Sequence, residues 1–306
     1  MAVLSAIQSV KGPIAIEQLG VVMPHEHTFI DLLREYRANG LINDLELVRD
    51  ELIRFREAGG STLVDLTTRG LHPEPELNRR VSAESGINVI MGTGFYRSPY
   101  LDEEWFAIRS VDEVAEILVR DIREGIDGTD VRAGIIGEIG CDREFTTAEE
   151  KSFRAAARAH AETGLTITTH AARWPVGLAQ LDLLGSEGVP AGRVIIGHAD
   201  MVPDRAYHRA LAERGAWVEF DTISGSNEYY LVRTVRAIHA LVDAGFAERI
   251  LLSQDVCLDT DLEALGGPGY GYILHSFTAR LEASGLSAEM VRAFVTLNPA
   301  RALSGA

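Results

Sequence analysis

Apolar residues recur along the chain in two alternating textures. Short unbroken runs of β-branched and apolar residues occupy 21–27, 62–68, 87–93, 133–139, 165–170, 194–198, 217–221 and 250–253. Runs of this length that are apolar on both faces read as buried parallel strands. Between them lie longer segments with helical spacing, at 44–58, 74–85, 110–125, 147–163, 175–187, 203–214 and 228–244, and another follows the eighth run at 287–296. In 44–58, for instance, Leu45, Val48, Leu52 and Phe55 share one helical face, Asp44 is placed to cap the first turn, and Gly59-Gly60 stops it. Eight strands alternating with helices, without a Pro/Ser-rich linker or a low-complexity tract, predict an α/β fold of the (β/α)8 TIM-barrel kind, a single domain over 1–306. An open doubly wound sheet would instead place a glycine-rich dinucleotide turn after an early strand. The candidate Gly92-Thr93-Gly94-Phe95-Tyr96-Arg97 lacks the third glycine. The one long irregular stretch is 256–271, after the eighth strand.

In a parallel barrel, functional groups stand at the C-terminal ends of the strands, so the residue that ends each apolar run becomes the question. Strand one ends in Met23-Pro24-His25-Glu26-His27, where alternation turns His25 and His27 to one side and Glu26 to the other. Strand four carries Glu138, strand five ends in His170, strand six in His198, and strand eight is followed by Asp255. Four histidines and two carboxylates at matching strand ends form a donor set for two borderline divalent cations, zinc first, with manganese or cobalt as alternatives. Each member taken alone has a plainer explanation, such as a solvated strand-end histidine or, for Asp255, a helix N-cap. Glu138 is harder to explain that way. It lies inside an apolar run, where an unpaired carboxylate costs on the order of several kcal/mol. The other histidines, His72, His160, His208, His239 and His275, fall in a loop or on helices and read as surface or packing residues.

Composition narrows the partners. The 29 basic and 45 acidic residues leave a formal net charge of -16, which disfavours attraction to nucleic acid or to anionic membrane surfaces. No run approaches the ~20 apolar residues of a membrane span, and the N-terminus lacks the basic and apolar regions of a signal peptide. Two cysteines, Cys141 and Cys257, are too few for a disulfide framework and read as reduced thiols. A cytoplasmic protein is expected, with a small-molecule substrate, no nucleic-acid or membrane partner, and a second copy of itself in a homodimer.

These motifs resemble the phosphotriesterase-like branch of the amidohydrolase superfamily over nearly the whole chain. The likeness runs through Val10-Lys11-Gly12-Pro13-Ile14, His25-Glu26-His27, Gly92 to Tyr96, the Gly-Glu-Ile-Gly around Glu138, and Thr-Thr-His at His170. It continues with Gly-His at His198, Ser253 to Cys257, Gly266 to Leu274, and Asn298 to Leu303. The resemblance implies an amidohydrolase-type barrel with a binuclear centre. His25, His27 and Asp255 would hold the more buried ion, His170 and His198 the more exposed one, and Glu138 would bridge both together with a hydroxide. Family members hydrolyse lactones, amides of small acids or, in a specialised group, organophosphate triesters. Glu138 stands where the phosphotriesterase itself has a carboxylated lysine, as in the phosphotriesterase-homology and phosphotriesterase-related branches, which argues against strong organophosphatase activity. No histidine lies between Phe220 and Arg236 to extend a proton relay, so Asp255 is expected to shuttle the proton unaided.

The expected activity is therefore metal-dependent hydrolysis of a small molecule. A sugar or acidic lactone is the first choice, with N-acyl amide or weak phosphotriester hydrolysis as alternatives. Expected catalytic residues are Asp255, Glu138 and Tyr96. Tyr96 resembles the strand-three tyrosine that reaches toward the metals in lactonase relatives, and it is also placed to contact substrate. Arg173, three residues beyond His170, carries a guanidinium that can fork onto an anionic group of the substrate. A barrel that binds metal without turnover, as a scaffold, is the competing class, and it would be marked by a missing ligand.

Overall fold

The computed structural model describes residues 3–225 and 227–306. Eight parallel strands form one sheet in sequence order: β1 (Val22–Glu26), β2 (Thr62–Asp65), β3 (Asn88–Thr93), β4 (Ile135–Gly140), β5 (Ile167–His170), β6 (Val194–Ile196), β7 (Trp217–Phe220) and β8 (Ile250–Leu252). β8 and β1 meet, and the seam is stitched where the Asp255 N–H donates to the His25 carbonyl and the His27 N–H to the Val256 carbonyl, both at 3.2 Å. The sheet is thus a closed (β/α)8 barrel. Helices α1 (Leu45–Glu57), α2 (Pro75–Ser85), α3 (Val111–Arg123), α4 (Thr147–Thr163), α5 (Gly177–Ser186), α6 (Arg205–Glu213) and α7 (Glu228–Asp243) each follow one strand, and α8 (Ala288–Val295) follows β8. Their starts are chemically marked. Asp44 caps α1 by accepting from the Glu46 and Leu47 N–H groups, and Ser110 with Glu113 and Thr146 with Glu149 form capping boxes on α3 and α4.

Period-two alternation sorts the strand residues into two cores. Leu63, Val89, Ile136, Val194, Ile196 and Val218 face outward into the layer beneath the helices. Val22, Val64, Ile90, Ile135, Ile195, Trp217 and Leu251 point into the barrel and fill its lower half, closed from below by Ile7, Ile14, Ala302 and Leu303. Both faces being buried, the strands read as continuous apolar runs.

Two strands break this alternation where the chemistry sits. The pairing of β1 with β2 slips between Met23 and Glu26, and that of β4 with β5 slips between Ile136 and Ile139. Each slip inserts one extra residue, as a bulge does, so Ile136 and Ile139 both face outward while Glu138 turns in. Gly137 makes the turn possible. Its φ is +113°, and a Cβ there would lie 2.1 Å from the Thr168 carbonyl oxygen.

The sequence reading missed several pieces. A hairpin, Ala6–Ser9 with Gly12–Ala15, and a helix, Leu297–Ser304, plug the barrel floor. Residues 273–283 are helical, and a short helix, Glu103–Ala107, follows β3. After β1 the chain makes an excursion over 32–40, exposed at 33–39, between the two-residue strands Ile30–Asp31 and Leu41–Ile42, a second irregular stretch besides 256–271. The latter is firmly held. Buried Glu51 accepts from the Glu263 and Ala264 N–H groups at 2.9 Å, and the Tyr270 hydroxyl donates to the His27 carbonyl at 2.6 Å. Among the described residues no helix is long and apolar enough to cross a membrane.

Candidate metal centre

All six candidate ligands converge above the apolar plug. His25 Nε2 lies 3.5 Å from Glu138 Oε2 and 3.7 Å from Asp255 Oδ1, and His27 Nε2 lies 3.6 Å from Glu138 Oε1 and 3.3 Å from Asp255 Oδ1. A tetrahedral ion with bonds of about 2.1 Å needs donors roughly 3.4 Å apart, so these spacings are those of a coordination shell. Buried His25 Nε2 has no hydrogen-bond partner, although it faces two carboxylates. A metal satisfies such an atom.

A second trio shares the same glutamate. His170 Nδ1 lies 3.2 Å and His198 Nε2 3.6 Å from Glu138 Oε2, and the two nitrogens are 2.8 Å apart. His25, His27 and Asp255 on one side, and Glu138, His170 and His198 on the other, each form a group able to hold one ion. Burial alone would push the Glu138 carboxyl up, yet His25, His170 and His198 hold it well below the usual carboxylate range. It is a carboxylate whose charge the site demands. Imidazole nitrogens mixed with carboxylates suit borderline divalent ions such as zinc, manganese or cobalt.

The far sides of the imidazoles are also held. His25 Nδ1 lies 3.1 Å from both Glu219 Oε2 and Asp221 Oδ2, and His198 Nδ1 lies 2.8 Å from Asp221 Oδ1. His27 Nδ1 meets Thr67 Oγ1 at 2.9 Å. Such partners fix ring orientation and raise the basicity of the coordinating nitrogen. Asp221 serves one histidine of each trio. Against its burial, His198 and His25 keep its carboxyl well below the ordinary range, while burial pushes neighbouring Glu219 up to about 7. The backbone is bent to suit: His198 and Asp255 adopt φ of 56° and 52°, left-handed values that non-glycine residues keep only where their surroundings enforce them.

Above the centre opens a cleft of about 640 Å³. Asp255, its side chain 19% exposed, stands between metal centre and cleft. The Tyr96 hydroxyl lies 3.2 Å from His170 Nδ1, and the Tyr96 ring packs edge-on against that imidazole. Arg173 lines the cleft from the loop after β5, exposed and at φ 68°. Arg97, Glu35, Asp142 and Cys257 line it as well, and both cysteines are free.

The sequence pattern of the Phosphotriesterase family matches residues 5–303. The chain belongs to this family. It is 36% identical over 290 residues, 94% of this chain and 99% of the relative, to the phosphotriesterase homology protein of Escherichia coli (strain K12). It is 28% identical over 366 residues, covering 98% of each chain, to an N-acetyltaurine hydrolase of Dictyostelium discoideum. Among solved structures, a lactonase of Listeria monocytogenes superposes with a TM-score of 0.91 at 31% identity, over 98% of this chain and 99% of that one.

Within this phosphotriesterase-family barrel, all eight singled-out site residues lie in the cluster of candidate metal ligands or on the cleft above it. Glu219, Asp221 and Thr67 went unnoticed in the sequence. A signal existed for the first two: Glu219 interrupts the apolar run 217–220, and its i+2 neighbour Asp221 shares its face, the same spacing that singled out His25 and His27. Thr67 carries no such mark. Three of the remaining histidines are engaged elsewhere. His160 Nδ1 meets the Leu165 carbonyl at 2.6 Å, His208 Nε2 the Ala199 carbonyl at 2.7 Å, and His239 Nε2 the Ser284 hydroxyl at 2.8 Å.

Proposed function

We propose that this chain is a binuclear metal-dependent hydrolase of a small carbonyl substrate, with a lactone first and an N-acyl amide second. The observation that carries the proposal is the position of Glu138 between the two donor groups: it belongs to one with His170 and His198 and lies within 3.6 Å of His25 and His27 of the other, so that four histidines from three strand ends surround it. His25, His27 and Asp255 would hold one ion, His170 and His198 the other, and Glu138 both. Two divalent ions there supply Lewis acidity toward the scissile carbonyl and lower the pKa of water, which suits acyl transfer at neutral pH. Zinc is the first choice of metal.

The chain's own groups then divide the remaining work. Asp255 borders the cleft and takes up a proton on its carboxylate, then returns it to the leaving group. Tyr96 presents its hydroxyl beside His170, where it contacts the substrate oxygen. Arg173 offers a guanidinium to an anionic substituent. The amide alternative draws support from the N-acetyltaurine hydrolase relatives, and the lactone reading from the Listeria lactonase. A scaffold without turnover has less support, because every ligand position is filled.

Elemental analysis of protein grown with added zinc or manganese should find close to two ions per chain, and a screen of lactones against N-acyl amides should find turnover that a chelator abolishes. One ion or none would remove the binuclear assignment. Full metal loading with no hydrolysis in either class would favour the scaffold.

A further inference from the structure

Two arginines line the cleft, and they are in opposite states. Arg97, in the loop after β3, is only 8% exposed, and its Nη2 donates to both oxygens of Glu35, at 3.0 and 2.8 Å. Its Nη1 donates to the Ser98 carbonyl at 2.7 Å and lies 3.3 Å from Asp142 Oδ2. Its Nε is buried and unpartnered, and the guanidinium sits 5.2 Å from the centre of the Tyr96 ring. Arg173 faces the same cleft, but no hydrogen bond or ion pair ties it to any described residue. In a chain with far more acidic than basic residues, a cleft-lining guanidinium with all its donors spare is a vacancy for an anion.

The contacts of Arg97 differ in strength. Glu35 is close and doubly held, whereas Asp142 is long at 3.3 Å and its side chain is 58% exposed. An exposed pair of this kind contributes little and gives way easily. We propose that Arg97 and Arg173 together form an anion subsite at the mouth of the metal cleft, and that Asp142 is a displaceable occupant of it. The ligand is a small carboxylate, sulfonate or phosphate group carried by the substrate, held by Arg173 from one side and by the Arg97 edge that Asp142 now covers from the other. Glu35 stays in place and keeps Arg97 oriented. This rests on the cleft being the substrate site of the proposed hydrolase.

The separating variant is Asp142→Asn, which removes the competing charge but leaves an amide oxygen that can still accept from Arg97. Titration of metal-loaded protein with propane-1-sulfonate, a poor metal ligand, followed by calorimetry, reads the subsite without turnover. Asp142→Asn should tighten binding about two- to fivefold, the range a weak exposed ion pair represents. Arg173→Gln should weaken it about tenfold or more. A purely structural role for Asp142 predicts weaker or unchanged binding, and either result overturns the proposal, as does an Arg173→Gln variant that binds like wild type. In kinetics, the ratio of kcat/KM for an acidic over a neutral substrate with the same scissile bond should rise in Asp142→Asn and fall in Arg173→Gln. If the sulfonate pattern holds while no substrate is turned over, the hydrolase reading falls and the subsite stands. If neutral lactones are hydrolysed and the sulfonate pattern is absent, the subsite alone falls.

Discussion

At the floor of the cleft, His25, His27, Glu138 and His198 are almost wholly buried, and each imidazole that grips with one nitrogen is anchored through the other or packed against a neighbour. At the rim, Arg173, Glu35 and Asp142 stand on loops and are more exposed; Glu35 is held by Arg97, Asp142 only weakly, and Arg173 by no hydrogen bond or ion pair to any described residue. The floor has its donors set at coordination distances by strands packed on both faces, so a ligand entering there meets a shell already assembled. The rim can exchange partners at small cost. On the proposed function, the cleft pairs a fixed reaction centre with an adjustable recognition edge, and variants on the two sides should fail in different ways.

The largest effect belongs to Glu138, which is a member of one trio and lies within 3.6 Å of both histidines of the other. Glu138→Gln should lower the occupancy of both metal positions and cut kcat/KM by at least about a hundredfold, since even outer partners of metal ligands typically cost 10- to 100-fold. His239→Gln, on α7 against Ser284, should stay near wild type. Elemental analysis with steady-state kinetics checks the pair, and equal activities would remove the shared-ligand role.

Asp221 sharpens the comparison from behind the centre. Because it orients His25 and His198, one in each trio, Asp221→Asn should weaken metal affinity about 10- to 100-fold at both positions. Competition against a chelator measures this. Loss at one position only would mean that Glu219 suffices for His25. Gly137→Ala attacks the floor through its backbone: the added methyl meets the Thr168 carbonyl, so stability should fall by about 1–3 kcal/mol and metal content with it. Thermal unfolding in zinc-containing buffer reads the first, and an unchanged Tm would show that the strand yields without cost.

The same contrast explains what could be read before the structure. Barrel strands are apolar on both faces, so the polar residues that end them, His25, His27, His170, His198 and Asp255, stand out in the chain. Glu138 was legible as an anomaly, but not how it turns inward, because the slipped register between Ile136 and Ile139 depends on β5 packing against Gly137. Thr67 and Asp221 act on neighbours 40 and 23 positions away in sequence. No local pattern encodes such a pairing. The rim was less legible again. Arg173 was suggested by its place after His170, but that Arg97 is engaged and Arg173 is not depends on where the loops carrying Glu35 and Asp142 come to lie. The floor plug from the N-terminal hairpin and C-terminal helix was missed for a similar reason: short strands and an eight-residue helix give weak periodicity, and tertiary burial decides them.

The smallest effect is expected at Tyr96, which sits on the border between the two regions. Its ring belongs to the floor, packing edge-on against His170 and beneath Arg97, while its hydroxyl lies 3.2 Å from His170 Nδ1 and, on the proposed function, meets a substrate oxygen in the cleft. Tyr96→Phe keeps the ring and removes only the hydroxyl. Neither donor group includes that oxygen, so metal content should not change. One neutral hydrogen bond to substrate is worth about 0.5–1.5 kcal/mol net, which makes the expected loss in kcat/KM about two- to tenfold. If the bond forms only as charge develops on the substrate oxygen, the loss falls on kcat; if it forms on binding, it falls on KM. A drop in metal occupancy would instead assign the hydroxyl to the centre, by way of His170. Wild-type kinetics with full occupancy would leave Tyr96 as a packing residue and move the boundary between floor and rim outward, to Arg97.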